Sequence, residues 1–164
     1  MDNKIFNVLG LGETITAEVF RGNKGFYSKE PDQLLECTDL ITNQGRIHLA
    51  KRIVGLDAAS SAMAYMAIGS GTTAPALTDT ALVHESVRKV FAVGSAITNN
   101  IFTAINTFGG FADSITSASI TEAGIFNHAT AGECFQRVTF SAVTLANSDL
   151  LKLTLQTNVG SNTI

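Results

Sequence analysis

The sequence predicts a mainly β protein: an antiparallel β-sandwich, jelly-roll-like in its winding, with one short α-helix and an extended N-terminal arm. Three observations predict it. Beyond residue 62 the apolar residues recur with a period of two, in short runs separated by turn residues. A single earlier stretch, residues 43–55, carries helical spacing instead. The final run alternates cleanly, with Leu151, Leu153 and Leu155 on one side and Lys152, Thr154 and Gln156 on the other. Such a strand has one buried and one wet face, which suits an antiparallel sheet rather than a βαβ unit.

The chain divides at about residue 40. In residues 1–40, apolar pieces at 5–9 and 15–20 alternate with Gly10, Gly12, Gly22 and Gly25, and Pro31 follows. This segment reads as an arm with one or two strands, lying over its own domain or over a neighbouring subunit. Phe6, Val8, Leu9 and Phe20 are its candidate assembly contacts. Residues 41–164 form the sandwich domain. Its helix opens at Thr42 or Asn43, either of which can accept an orphan backbone N–H. Ile47, Ala50 and Val54 make its apolar stripe, with Leu49 and Ile53 widening it and Arg46, Lys51 and Arg52 on the polar side. Gly55 is the expected stop.

Strands are then expected at residues 62–69, 89–93, 101–108, 117–126, 133–143 and 150–159. The second and third of these pair as a hairpin across Thr98-Asn99-Asn100, and the last two across residues 146–149. Glu122-Ala123-Gly124 interrupts the fourth. Phe140, Leu151, Leu153 and Leu155 are expected in the core. Phe102, Phe108 and Phe111 look exposed, and a monomer would leave them as an apolar patch, so a homo-oligomer, a trimer, is expected.

Composition narrows the function. Charged residues are only 15% of the chain against 45% apolar, where a globular domain carries about a quarter charged. A hydroxyl-rich, weakly charged surface fits an exterior covered by neighbours. The net charge is −3 and the basic residues never exceed pairs such as Lys51-Arg52 or Arg88-Lys89. Phosphate neutralisation needs clustered Lys and Arg, so nucleic acid is not an expected partner. No apolar run approaches the ~20 residues of a membrane helix, and Met1-Asp2-Asn3-Lys4 does not open a signal peptide. The expectation is a protein without a membrane partner, made and kept in a cytoplasm. Cys37 and Cys134 belong to no Cys-x-x-Cys pair and are expected as reduced, buried thiols.

No constellation in the sequence points to catalysis, a metal or a cofactor. His48, His84 and His128 share no ligand spacing. His84 and Glu85 are adjacent, and adjacent strand residues point to opposite faces. Gly69-Ser70-Gly71 lacks the Gly-Lys-Ser/Thr ending of a phosphate loop, and no serine stands in a Gly-x-Ser-x-Gly frame. Glu122 lies in an apolar run, and is expected to accept backbone N–H groups at a bulge near Gly124. Sugar binding usually needs exposed aromatics; the chain has no Trp and only Tyr27 and Tyr65 as tyrosines.

Two stretches carry a resemblance. One runs from Tyr65-Met66-Ala67-Ile68 through Gly69-Ser70-Gly71-Thr72-Thr73-Ala74-Pro75 to Leu77, Asp79 and Leu82, with Glu85 and Arg88 after it. The other is Ile120-Thr121-Glu122-Ala123-Gly124-Ile125-Phe126, followed by Gly132 and Arg137-Val138-Thr139-Phe140. In this order, with Leu40-Ile41-Thr42-Asn43-Gln44-Gly45-Arg46 before them, they resemble a group of small tailed-phage virion proteins of the head-decoration and tail-fibre kind. The resemblance spans roughly residues 38–160. It implies a non-enzymatic structural protein on the particle exterior, with the major capsid protein or tail and baseplate proteins as partners. It brings no catalytic residue. The first stretch has its own physical sense: glycines permit a turn, Pro75 stiffens it, and Asp79 or Thr80 caps residues 81–82. Thr72, Thr73, Pro75 and Leu77 are therefore further candidate contacts.

Overall fold

A computed structural model describes residues 11–22, 30–56, 62–93, 101–109, 112–115 and 119–159. Two five-stranded antiparallel sheets face each other. The strands are β1 (Leu11–Phe20), β2 (Gln33–Cys37), β3 (Leu40–Ile41), β4 (Tyr65–Gly69), β5 (Glu85–Val90), β6 (Ala92–Val93), β7 (Ile101–Gly109), β8 (Ser119–Phe126), β9 (Cys134–Thr144) and β10 (Leu150–Val159). One sheet has the order β2-β1-β10-β7-β6 and the other β3-β9-β8-β4-β5. The helix α1 (Asn43–Ile53) follows β3 and packs on β9. The expected mainly β sandwich with one helix is the fold of the protein.

The core lies between the sheets. Leu151, Leu153 and Leu155 are fully buried there with Ile15, Ala17, Val19, Met66, Ile68 and Phe108. Phe140 is buried with them, as its place in the pattern requires. The sheets differ on their outer sides. β10 alternates buried and half-buried residues, whereas β8 is buried from Ile120 to Phe126. The outer side of β4 and β8 is covered by the connection between β4 and β5, residues 70–84. Leu82 from that connection closes a second small cluster over Ala67, Phe126 and Cys134, against which Tyr65 packs.

Several local expectations change. Of the two places open to the arm, β1 and β2 take the one on their own domain: β1 pairs with β10 over ten residue pairs, from Leu11↔Val159 to Phe20↔Leu150, and with β2 over five. The strands foreseen in the arm exist, but they complete this domain's own sheet, because Ile15, Ala17 and Val19 alternate inward like any core strand. Residues 1–10, with Phe6, Val8 and Leu9, lie outside the described residues. The expected hairpin of residues 133–143 with 150–159 does not form, since β9 and β10 belong to opposite sheets. Asp149 turns the corner: its carboxylate accepts the amides of Ala146 and Gly22 and pairs with Arg21, while Leu145 is buried. A short polar loop fits a hairpin and a sheet-to-sheet corner equally well, so spacing could not separate them. The other expected hairpin survives only as β6–β7. Residues 89–90 belong to β5 in the opposite sheet, and the chain crosses between the sheets at the buried Phe91. Glu122-Ala123-Gly124 does not interrupt β8; register shifts flank it and the strand runs through.

The helix is capped as its ends predict and faces the other way. Thr42 Oγ1 accepts the Gly45 amide at 3.0 Å. At the far end Gly55, at φ +69°, donates to the Arg52 carbonyl and Leu56 to that of Lys51, the paired bonds of a Schellman motif. Yet Gly45 and His48 are buried while Ile47 and Val54 are 53% and 64% exposed. Gly45 decides this. A Cβ there would collide with the Phe135 carbonyl, so only this glycine lets the helix backbone lie against β9. With that side turned inward, the stripe of Ile47, Ala50 and Val54 faces solvent.

Candidate functional site

The 70–84 connection is the most distinctive feature of the surface. It has no strand or helix of its own, so the residues 81–82 expected to follow a cap form no helix. Thr72 and Thr73 are exposed, Leu77 is 40% exposed and Pro75 is half-buried. These four expected contacts therefore share one outward loop. Phe20 does not join them: at 5% exposure it is buried at the end of β1 and is not available to another subunit.

What holds this loop is a buried charge pair beneath it. Glu122, on β8, is completely buried. Its Oε1 accepts the amides of Gly71 and His84, each at 2.8 Å, and its Oε2 accepts the Val83 amide at 3.1 Å. The backbone-accepting role expected for Glu122 is thus present, but the donors come from both ends of the loop and not from a bulge near Gly124. Arg137, on β9 and 1% exposed, donates through Nε to Glu122 Oε2 at 3.0 Å. Its other nitrogens reach Asp79 Oδ2 and the Thr73 carbonyl, both at 2.8 Å. Asp79 also accepts the Ala76 amide, so one guanidinium ties the tip of the loop to the carboxylate that ties its base. Thr121 adds a bond to the Gly71 carbonyl.

Electrostatics follow the geometry. Burial alone would push the Glu122 carboxyl up, but the His84 and Val83 amides, Arg137 and the Gly71 amide outweigh it and hold the group below its ordinary value. Burial likewise works against the charge of Arg137, and Asp79 and Glu122 more than restore it. Both groups stay ionised and fully engaged. Arg137 is part of the resemblance motif, but its pairing with Glu122 was not foreseen, although a signal was there: one Arg and one Glu in neighbouring, otherwise apolar runs must find each other if both are buried.

The remaining polar side chains are dispersed. His48 is buried and its Nδ1 lies 2.8 Å from Glu133 Oε2. His84 is exposed and serves the loop through its backbone, while Glu85 is occupied by Arg88. Among the described residues no group of three His, Cys, Asp or Glu side chains could hold a metal. Both cysteines are free: Cys134 is buried and its thiol is pushed up to about 12, chiefly by burial, while Cys37 is only half-buried. Cys37 lines a shallow groove of ≈ 540 Å³ with Thr14, Glu36, Thr38 and Thr139, which offers no aromatic platform. Tyr27 lies outside the described residues, and Tyr65 packs on the small cluster under the loop.

Of the aromatics expected as an exposed patch, Phe108 is fully buried, because its side of β7 faces the core. Phe102 packs edge-on to Phe91 with centroids 5.9 Å apart, and Phe111 lies outside the described residues. No helix among the described residues is long and apolar enough to cross a membrane. No family model matches the chain, and no curated protein or solved structure matches it.

Proposed function

We propose that this chain is a non-enzymatic structural protein of a tailed-phage particle, a head-decoration protein that presents the 70–84 loop to the capsid exterior. One observation carries this: the loop of the resemblance motif is exposed along most of its length while its base, tip and one carbonyl are fastened to a fully buried Glu122–Arg137 pair. A contact surface held rigid in the free protein loses little conformational freedom on docking, which favours binding. The same bonds speak against catalysis by these groups. Glu122 spends its lone pairs on three amides and a guanidinium, and no substrate proton can reach it.

Immunogold labelling of intact particles from a phage that encodes this chain tests the proposal. Gold on the head shell is the expected result. Gold confined to the tail would replace decoration by a tail or baseplate role, and particles without label would sink the virion reading altogether. A sugar-binding role has less support, since the groove at Cys37 is lined by hydroxyls without an exposed ring.

A further inference from the structure

Two neighbouring stretches of the chain carry opposite charge and each shows apolar side chains to solvent. Residues 30–39 hold Glu30, Asp32, Glu36 and Asp39 and no basic residue. Residues 43–53 hold Arg46, Lys51 and Arg52 and no acidic residue. Within the first stretch β2 is an edge strand whose Leu34 is 54% exposed and whose Glu36 is exposed on the same face, two residues on. In the second, the stripe of Ile47, Ala50 and Val54 is exposed with Arg46 beside it, and Ile53 and Leu56 extend the apolar surface past the last turn at 83% and 79% exposure.

Spacings of three and four residues along 47, 50 and 54 give a seam of the kind helices use to dock, and here it faces away from its own core. Its flanks are basic. Lys51 on that flank already faces Glu133 of its own chain at 3.6 Å, so Arg46 is the charge this surface offers, and two copies of α1 set side by side in parallel would bring Arg46 toward its counterpart. The acidic, apolar face of β2 is the complement. We infer that α1 of one copy docks on the β2 face of a second copy, the apolar stripe over Leu34 and the basic flank against Glu36. The contact is heterologous, because the two surfaces are different patches of one chain, so each copy can take a neighbour on both sides. Neither surface includes the 70–84 loop, and the inference holds wherever the protein resides.

A mixing experiment tests it. Val54→Asp spoils only the helix surface and Leu34→Asp only the strand surface, both at exposed positions. By sedimentation velocity at micromolar concentration the unaltered protein should run as an oligomer, and each variant alone should lose association and run at the chain mass of 17.3 kDa. Mixed in equal amounts, the two variants retain one intact helix surface and one intact strand surface. They should form a dimer that grows no further. Thermal melting of each variant confirms folding; should either fail, Ile47→Asp replaces the helix variant and Leu34→Glu the strand variant, both at exposed positions, in the same design. An unaltered protein that stays monomeric, single variants that still assemble, or a mixture that stays monomeric would each overturn the inference.

Discussion

The 70–84 loop and helix α1 lie on the same side of the molecule, over the sheet that contains β8 and β9, and they are joined by the bond from the Asn43 amide to the Leu77 carbonyl. They are secured in opposite ways. The loop has no regular backbone structure, yet it is bonded through Gly71, Thr73, Asp79, Val83 and His84 to two side chains rising from the sheet. The helix satisfies its own backbone, with a hydroxyl cap at one end and a Schellman motif at the other, and rests on β9 through Gly45, His48 and Leu49. Its most apolar stripe is left to solvent. Regular local structure and tertiary anchorage are therefore separate properties. A segment without secondary structure can be the more firmly held of the two when buried polar groups must be satisfied by it.

Substitutions should break this contrast in a definite order. Glu122→Leu should cost most, about 3–5 kcal/mol, because it leaves Arg137 buried with one of its two carboxylates gone and three amides without an acceptor. Chemical denaturation measures the loss, and hydrogen exchange at Gly71, Val83 and His84 should speed up more than exchange within α1. Leu153→Ala calibrates that number against the shared core and should cost about 2–5 kcal/mol by transfer and cavity terms. A loss below about 1 kcal/mol would be inconsistent with a fully buried Leu153.

Gly45→Ala probes how the helix is seated. Its added methyl meets the Phe135 carbonyl, so stability should fall by about 1–3 kcal/mol although alanine is the better helix former. If it stabilises instead, the close approach to β9 does not orient α1.

A pH series sharpens the comparison further. The Glu122 carboxyl is depressed in the folded state, so its contribution is complete above the unfolded value of about 4.3 and is lost as pH falls through the folded value. Stability should decline below about pH 5, and Glu122→Gln should flatten that acid limb, since glutamine binds no proton in either state. An unchanged limb would assign the acid sensitivity to other carboxylates, of which Asp149 is also depressed. The smallest effect belongs to the helix stripe: Val54→Asp should change the stability of the separated chain by less than about 0.5 kcal/mol, read from the denaturation midpoint.

The sequence by itself determined what depends on nearest neighbours along the chain. Period-two runs set β10 and its buried Leu151, Leu153 and Leu155, and Thr42 and Gly55 marked both ends of α1 because caps need only residues within one turn. The exposed 70–84 loop was legible in the same way, from its glycines and Pro75. Tertiary structure alone decided the rest. Which sheet receives β9 and which β10 turned on Asp149 reaching Gly22, more than a hundred residues away in the chain, and spacing holds no record of that. The outward turn of the helix stripe came from a single close contact between Gly45 and Phe135 that outweighs a favourable periodicity. The hold on the loop required Glu122 and Arg137 to be brought beneath it by two paired strands. Hydrophobic pattern fixes which side of an element prefers burial, but sterics and the need to pair buried charges choose among the packings that remain.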